Sequence, residues 1–376
     1  MEVRLGLQRI QLGFMIAGVF AGGALAMDDP ELGIDFVTIG DVGNIPYPGG
    51  PNGIYAGRGS VDYEFRISQT EVTTGQYVDY LNMFSLQSVE LWALLQPGMS
   101  GLRLNGIGQP WTPNYNLLDP EQAGINMSWK QAAMFCNWLH NGQSSDSETL
   151  FDGAYDISTL FSNGDLTYSG QATRHPDARY WIPSLDEHLK AGFYDLDKEG
   201  NGPGWWNYGY SSDEAPIHAV PGAGHVAREL SEDEIRDLAG NTTRISMVPL
   251  GIYEDVRSPW GLFDLLGGFG EWLEDWGSEI QRGRLQRMAN NVSHVFPELD
   301  LVCSYWEIPP FSSAGFRIAS AVHHPADLNL DWQVNYFDVS AFISMFVAGD
   351  LAVDLDGDGD LDVDDVLVFL ELVGSA

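Results

Sequence analysis

The chain has 376 residues, of which 44% are hydrophobic and 12% aromatic, so it can bury a large core and still form a second, small module. Its 53 acidic and 18 basic residues give a formal net charge of -35 at pH 7. Because like charges repel, this balance argues against nucleic acid and anionic membrane surfaces as partners and favours cations. With two cysteines, a fold held together by a disulfide framework is excluded.

The N-terminal segment, residues 1–26, has the features of a secretory signal peptide. Arg4 and Arg9 precede an apolar run over 10–20, and the Ala-Leu-Ala at 24–26 fits an A-x-A cleavage site. A retained membrane anchor is the alternative, but the uncharged stretch is short and broken by glycines. No later run is long enough to span a membrane. We therefore expect a secreted, periplasmic or cell-surface protein whose mature chain has no transmembrane anchor.

The body of the chain, predicted as one domain over residues 27–322, combines strand patterns, helix patterns and long loops. Apolar and polar residues alternate in VDYEFRIS, at 61–68, as they do in a strand. Apolar residues recur at helical spacing over 71–85 and again over 128–142, where a serine is suited to cap the helix and a glycine to end it. Loops rich in Gly, Pro, Asn and Trp separate these elements, so the sequence predicts an α+β fold.

The composition changes abruptly at about residue 323, and the segment 323–376 contains no lysine or arginine. Two stretches of this segment form a repeat: DLNLDWQVNYFDVSAFISMF begins at Asp327 and DLDGDGDLDVDDVLVFLELV begins at Asp354. Each combines a loop rich in oxygen ligands with an apolar helix, an arrangement that wraps one chain around a hard cation. A solvated acidic tail is the alternative, but a run of charged residues that binds nothing would not be expected to keep the same spacing in both repeats.

The two loops predict calcium sites within a small all-α module. Side-chain oxygens stand at loop positions 1, 3, 5, 9 and 12, and the main-chain carbonyl at position 7 adds another ligand. The predicted ligands are Asp327, Asn329, Asp331, Gln333, Asn335 and Asp338 in the first loop, and Asp354, Asp356, Asp358, Asp360, Asp362 and Asp365 in the second. Without calcium these carboxylates repel one another, so we expect the module to fold when the ion binds.

The repeat resembles the type I dockerin family over residues 327–373, since each loop ends in aspartate rather than in the glutamate of most EF-hands. The resemblance implies either attachment to a cohesin-like partner or a stable terminus on an exported protein. One residue departs from the pattern. Trp332 occupies position 6 of the first loop, where Gly359 makes the sharp turn in the second. We therefore expect the first calcium site to be weaker or distorted.

Several stretches of the body together resemble the formylglycine-generating enzyme family, also called sulfatase-modifying factors. They are YEFRISQTEVTTGQYVDYLN, NMSWKQAAMFCNWLHNGQ, YWIPSLDEHLKAGFYD, SPWGLFDLLGGFGEWLEDW and SAGFRIA, and their order follows the family's pattern over about 36–321. The resemblance implies a C-type-lectin-like α+β fold with few regular elements and long loops. It also implies structural roles for Glu271 and Arg317 as buried charge partners and for Trp272 as a core residue.

The residues do not reproduce the catalytic site that this resemblance implies. Oxidase members carry two cysteines five residues apart that bind copper and activate oxygen, whereas this region offers Cys303 alone. We interpret Cys136 as a packing residue of its helix, and Cys303 either as another or as half of a bridge. Gly268 and Gly270 replace an asparagine and a tryptophan of the family motif. We assign no catalytic residue, leaving Cys303 as the remaining candidate, and expect neither copper nor iron.

Two hypotheses for function follow. In the first, the protein is a non-catalytic exported member of the family, a lectin-like scaffold that binds a peptide or glycan and attaches through its calcium module. In the alternative, it is a formylglycine-generating-type oxidase, dependent on copper or iron, that acts on an exported protein or on a small-molecule thiol. The lack of a second cysteine near Cys303 favours the first hypothesis.

Overall fold

A computed structural model gives the architecture of the protein. It describes residues 27–29, 33–50, 55–84, 91, 94–95, 102–104, 111–113, 127–159, 161–162, 168–169, 171, 173–214, 249–254, 256–265, 270–276, 284–287 and 314–375. The predicted signal peptide and the candidate Cys303 lie outside these residues and stay predictions. Among the helices in the described ranges, none is both long and apolar enough to cross a membrane.

Short strands and a few helices alternate along the chain. The strands are β1 (Met27–Asp29), β2 (Ile34–Ile39), β3 (Phe65–Ser68), β4 (Leu102–Leu104), β5 (Trp111–Pro113), β6 (Phe161–Ser162), β7 (Tyr168–Ser169), β8 (Tyr180–Trp181), β9 (Tyr194–Asp195), β10 (Gly204–Trp205), β11 (Gly270–Trp276), β12 (Arg284–Arg287), β13 (Ala314–Gly315) and β14 (Ala319–Ser320). The α-helices are α1 (Thr74–Phe84), α2 (Trp129–His140), α3 (Leu185–Phe193), α4 (Tyr336–Ala348) and α5 (Val363–Ser375). This mixed content with few regular elements agrees with the predicted α+β class.

A five-stranded antiparallel sheet, in the order β1-β2-β3-β14-β8, joins the beginning of the body to its end. Its register pairs Val37 with Ile67, and Ile67 with Ala319. Ala319 pairs in turn with Trp181. All four residues are buried, so they form one row across the sheet that faces the main core.

β3 is shorter than the strand predicted over 61–68. The amide of Val61 donates a hydrogen bond of 3.0 Å to the side chain of Asn44, and its carbonyl accepts one of 2.8 Å from the amide of Gly43. These bonds tie the start of the predicted strand to the loop that follows β2. The ladder therefore begins only at Phe65, a correction of four residues.

The two predicted helices, α1 and α2, are present and bury the residues expected from their spacing. In α1 the hydroxyl of Thr73 accepts a hydrogen bond of 3.1 Å from the amide of Gln76, which explains a start three residues later than predicted. In α2 Ser128 is the N-cap, as predicted. Tyr77 and Phe135 stack with ring centroids 5.9 Å apart, so aromatic packing joins the two helices.

The sequence analysis missed helix α3. Its N-cap is Ser184, whose side chain accepts a hydrogen bond from the amide of Glu187 at 3.2 Å. The Glu187 carboxylate in turn accepts one from the amide of Ser184 at 2.7 Å. This reciprocal pair is a capping box, and S-L-D-E was the signal that would have predicted it. Leu189 and Phe193 of α3 pack with Leu273 of β11 in a second core.

The C-terminal helices α4 and α5 follow the two acidic loops, as the repeat predicts. Phe342 of α4 and Phe369 of α5 stack with ring centroids 4.2 Å apart and planes 8° from parallel. Ala326 and Val353, which precede the two loops, are fully buried beside them. The two halves of the repeat thus share one small apolar core.

Candidate functional site

The second acidic loop, 354–365, brings its first three predicted ligands together. Carboxylate oxygens of Asp354, Asp356 and Asp358 all lie within 4.8 Å of one another. Glycines at positions 4 and 6 have positive φ angles of 76° and 92°, which the tight turn requires. The negative charge of Asp358, with smaller contributions from burial and from Asp362, raises the pKa of Asp360. A cation bound among these oxygens would relieve that repulsion.

The two loops have equivalent internal hydrogen bonds at their position-12 aspartates. One oxygen of Asp338 accepts from the amides of positions 2 and 3 at 2.9 and 3.3 Å, and the other accepts from position 9 at 2.8 Å. The same three positions donate to Asp365 at 2.7, 3.4 and 2.9 Å. Both aspartates are buried, as is Asp327, whereas the remaining predicted ligands are more exposed. Two oxygen-lined loops of one geometry fit the donor set that Ca²⁺ prefers.

Trp332 does not change the backbone path of the first loop. Leu330 and Trp332 have φ angles of 57° and 68°, close to the angles of the two glycines at the same positions of the second loop. The amide of Trp332 donates to Asp327 at 2.9 Å, as the amide of Gly359 donates to Asp354 at 2.9 Å. The predicted distortion is therefore not seen in the backbone, while a weaker affinity stays a prediction.

The side chain of Trp332 joins the first loop to the body. It stacks on His323 with ring centroids 3.7 Å apart and meets Tyr180 edge-on at 5.7 Å. The guanidinium of Arg66 lies 5.7 Å from the centre of its ring. His323 also contacts the first predicted ligand, with Nδ1 2.9 Å from a carboxylate oxygen of Asp327. The first loop thus serves as a contact between the module and the body as well as a candidate metal site.

In the body, the residues expected to be structural form a buried ionic cluster. The Arg317 side chain donates to Glu271 at 2.9 Å and to the carbonyl of Gln69 at 2.6 Å. His188 Nε2 lies 3.4 Å from the same carboxylate. Burial alone would raise the pKa of Glu271, but Arg317 and His188 outweigh it and lower the pKa. Trp272 is fully buried, so the predicted structural roles of all three motif residues agree with the structure.

A second ionic network was not predicted from the sequence. Arg174 donates to Glu187 at 3.0 Å, to Glu274 at 3.1 Å and to the hydroxyl of Tyr63 at 2.8 Å. The indole of Trp181 donates to Glu187 at 3.1 Å, and the Arg174 guanidinium lies 4.0 Å from the Trp181 ring centre. Both carboxylates are buried, so this network fixes the edge of the body beside β8.

Of the two cysteines, Cys136 lies among the described residues. Cys136 is a free, fully buried thiol in α2. Burial, and then the charge of Glu274, raise its pKa well above the ordinary value, so it is not a reactive thiolate. This agrees with its predicted packing role. Cys303 and Gly268 lie outside the described residues, and Gly270 begins β11.

Comparison with known proteins places the body in a family. The profile of the sulfatase-modifying factor enzyme 1-like domain (FGE-sulfatase) matches residues 56–321. A search of curated proteins found no match. Three similar solved structures are CarF, at 20% identity and a TM-score of 0.45, the Treponema denticola variable protein 1, at 16% and 0.36, and PvdO from Pseudomonas aeruginosa, at 11% and 0.39.

Each alignment covers 77% of this chain, and 99%, 96% and 95% of the CarF, Treponema and PvdO chains, respectively. Similarity at this level carries no argument about function. The family profile is a stronger finding because it spans well over half of the chain and includes Glu271, Trp272 and Arg317. The chain therefore belongs to the sulfatase-modifying factor enzyme 1-like family.

Proposed function

We propose that the protein is an exported, non-catalytic member of this family, in which the body is a lectin-like binding scaffold and the C-terminal module is a calcium-dependent attachment device. The observation that carries the attachment role is the equivalence of the two acidic loops. Asp338 and Asp365 accept hydrogen bonds from the same three loop positions, although the first loop has amide side chains at three predicted ligand positions where the second has carboxylates. A solvated acidic tail has no reason to repeat this geometry.

Calcium is the metal that these loops suit best. The predicted ligands are oxygens only, and hard cations with flexible coordination bind such sets, whereas copper and zinc favour nitrogen and sulfur. When bound, calcium supplies positive charge that the segment 323–376 lacks, since this segment has no lysine or arginine. Its role is to fold and stabilise the module, and no chemical step depends on it.

The partner of the module, in this proposal, is a cohesin-like protein domain. Both helices expose large apolar side chains, and the module around them is acidic, so the fitting surface is an apolar patch bordered by basic residues. The exposed side chains are Tyr336, Phe337, Ile343, Val347, Val363, Leu367 and Leu370, and Leu351 between the helices is exposed as well. Binding of an isolated type I cohesin domain in calcium, and its loss in a chelator, is the expected result.

The non-catalytic role of the body rests on its thiols. The chain has two cysteines, and Cys136 is buried with a raised pKa, so Cys303 has no accessible partner thiol for a copper site. Of the two hypotheses for the body, this favours the scaffold that binds a peptide or glycan over the oxidase. Incubation of the purified protein with copper and a C-x-P-x-R peptide should yield no aldehyde, and copper-dependent turnover would restore the oxidase hypothesis.

The calcium role can be tested by circular dichroism on the full chain. Calcium should increase the helical signal, and the double replacement Asp354→Asn and Asp356→Asn should remove the contribution of the second repeat. Asp364→Asn is the matched control, because Asp364 lies in the same loop, is exposed and is not a predicted ligand. An unchanged spectrum on chelation, or an equal effect of the control, would refute the proposal. Export is tested separately by sequencing the N-terminus of the secreted protein, expected to begin at Met27.

A further inference from the structure

The two acidic loops differ in what they contact outside themselves. The ring of Trp332 in the first loop packs against the main core of the body. Over 354–365, which the structure describes in full, the hydrogen bonds of the second loop all stay inside the module. Asp327, which opens the first loop, is 3% exposed, whereas Asp354, which opens the second, is half-buried. The first loop therefore has an environment that the second does not share.

Two departures from the repeat account for this difference. Trp332 stands where the second loop has Gly359, and His323, four residues before the first loop, stands where the second repeat has Asp350. The indole and the imidazole stack on each other with ring centroids 3.7 Å apart. Asp350 instead accepts a hydrogen bond from the amide of Ala352 at 3.0 Å. The two departures thus meet at one point of the structure.

His323 and Trp332 hold the first predicted calcium ligand in place. Oδ2 of Asp327 accepts a hydrogen bond from the amide of Trp332 at 2.9 Å and lies 2.9 Å from Nδ1 of His323. Oδ1 of the same carboxylate accepts one from the amide of Asp331 at 3.1 Å. Partners that orient a metal ligand in this way commonly change metal affinity by about 10–100-fold.

The body fixes these two side chains in turn. Trp332 meets Tyr180 of β8 edge-on at 5.7 Å, and the guanidinium of Arg66 in β3 lies 5.7 Å from the centre of its ring. His323 is buried and closely follows Ala321, whose amide donates at 3.0 Å to a carbonyl just before β8. The orientation of the first predicted ligand therefore depends on the folded sheet of the body.

We propose that the body supports the first calcium site, with His323 and Trp332 as positioning residues, so that calcium in the first loop and the folded body stabilise each other. The inference rests on the calcium role proposed above and goes beyond it by giving the two sites different tasks. Linkage makes the effect reciprocal: if the folded body strengthens calcium binding, calcium stabilises the body by the same factor. Calcium in the second loop acts on the body only through the shared core of the module, so its effect is smaller.

Thermal melts of the full chain, with and without saturating calcium, test the proposal. Near-ultraviolet circular dichroism follows the body, because Trp332 is the single tryptophan after residue 322. Calcium should raise the melting temperature of the native body by about 2–4 °C, the shift that corresponds to a tenfold coupling in a domain of this size.

Asp331→Asn and Asp358→Asn are a matched pair of variants. Both carboxylates stand at position 5 of their loop and accept the amide of position 7, at 2.9 and 3.0 Å. Asparagine keeps an oxygen for this hydrogen bond and removes the charge that attracts calcium. Asp331→Asn should remove most of the calcium-dependent rise, and Asp358→Asn should remove the smaller part.

Two further variants separate calcium binding from the coupling. In Trp332→Gly the first loop keeps a residue that suits its turn, so calorimetric titration should still count two ions per chain. The calcium-dependent rise of the body should nevertheless fall to about 1 °C or less. A contact without coupling would instead lower the melting temperature equally with and without calcium. His323→Phe keeps a ring for the stack and removes the contact with Asp327, so it should weaken one of the two calcium affinities by about tenfold.

Four results would overturn the proposal: no calcium-dependent rise although two ions bind, equal losses in Asp331→Asn and Asp358→Asn, a full rise in Trp332→Gly, or unchanged affinities in His323→Phe. If Trp332→Gly or His323→Phe does not fold, the matched aspartate pair decides, because neither of its side chains is buried. A titration without any bound calcium refutes the calcium role itself, so the two failures are distinguishable.

Discussion

Replacement of Trp332 by glycine should weaken the junction between the C-terminal module and the body while leaving the first loop able to fold. The change removes the stack on His323 and the edge contact with Tyr180, worth about 0.5–1.5 kcal/mol each beyond the buried area. It also removes the cation–π contact with Arg66, worth about 0.5–1 kcal/mol. The lost contacts together amount to about 1.5–4 kcal/mol.

Glycine also relieves strain, because the left-handed conformation at φ 68° is unfavourable for tryptophan, whereas glycine adopts it freely. That strain is about 1–2 kcal/mol, so the net loss is about 1 kcal/mol. In a domain of this size, such a loss lowers the melting temperature by about 2–4 °C. We therefore expect the body to melt at a lower temperature although its own sequence is intact.

Differential scanning calorimetry of the calcium-loaded protein measures this effect. Gly359→Ala is the matched control: it strains the same position of the second loop, at φ 92°, and its added carbon meets no atom within 4 Å. It should reduce calcium affinity and leave the melting of the body unchanged. If Trp332→Gly leaves that melting unchanged, or if both variants lower it equally, the junction does not stabilise the body.

Three further predictions concern the ionic groups. Arg174→Met leaves Glu187 and Glu274 buried without their cation, so urea unfolding should show a loss of about 3–5 kcal/mol, with Arg174→Lys partly restoring stability. Because burial raises the pKa of Glu274 from 4.5 to about 7, its protonated form stabilises the fold below about pH 4.5, and this contribution is lost as the pH rises through 7. The loss should approach about 3 kcal/mol, and Glu274→Gln, which imitates the protonated acid, should remove it from the measured pH profile of stability. Asp365→Asn should lower calcium affinity by about tenfold or more in a calcium titration, because it removes one charge from the position that closes the second loop.

Local signals in the sequence predicted the elements whose partners lie close in the chain. The N-cap of α2 and its partner are three residues apart, and every predicted ligand of an acidic loop lies within twelve residues. Such features depend on short-range geometry, so a pattern of residue types suffices to find them. The capping box of α3 belongs to the same class, because Ser184 and Glu187 are three residues apart, so S-L-D-E was a sufficient signal for this helix.

The Arg174 network could not be predicted because its partners are distant in sequence. Glu187, Glu274 and Tyr63 lie 13, 100 and 111 residues away from Arg174. The same reason explains why the contacts of Trp332 with the body could not be predicted. Its departure from glycine is visible in the sequence, but its contact with Tyr180 exists only after the sheet has formed.

The Glu271–Arg317 pair explains how family membership and the proposed lack of catalysis are compatible. Arg317 is fully buried and donates to Glu271, to the carbonyl of Gln69 and to the carbonyl of Phe263, so one side chain holds three separate segments of the body. Removing either partner would leave a buried charge without compensation, which destabilises a domain whatever its activity. These motif residues are therefore required by folding alone. Their presence identifies the fold, whereas the copper site that the resemblance implies for oxidases would also need a second thiol near Cys303, which the sequence does not contain.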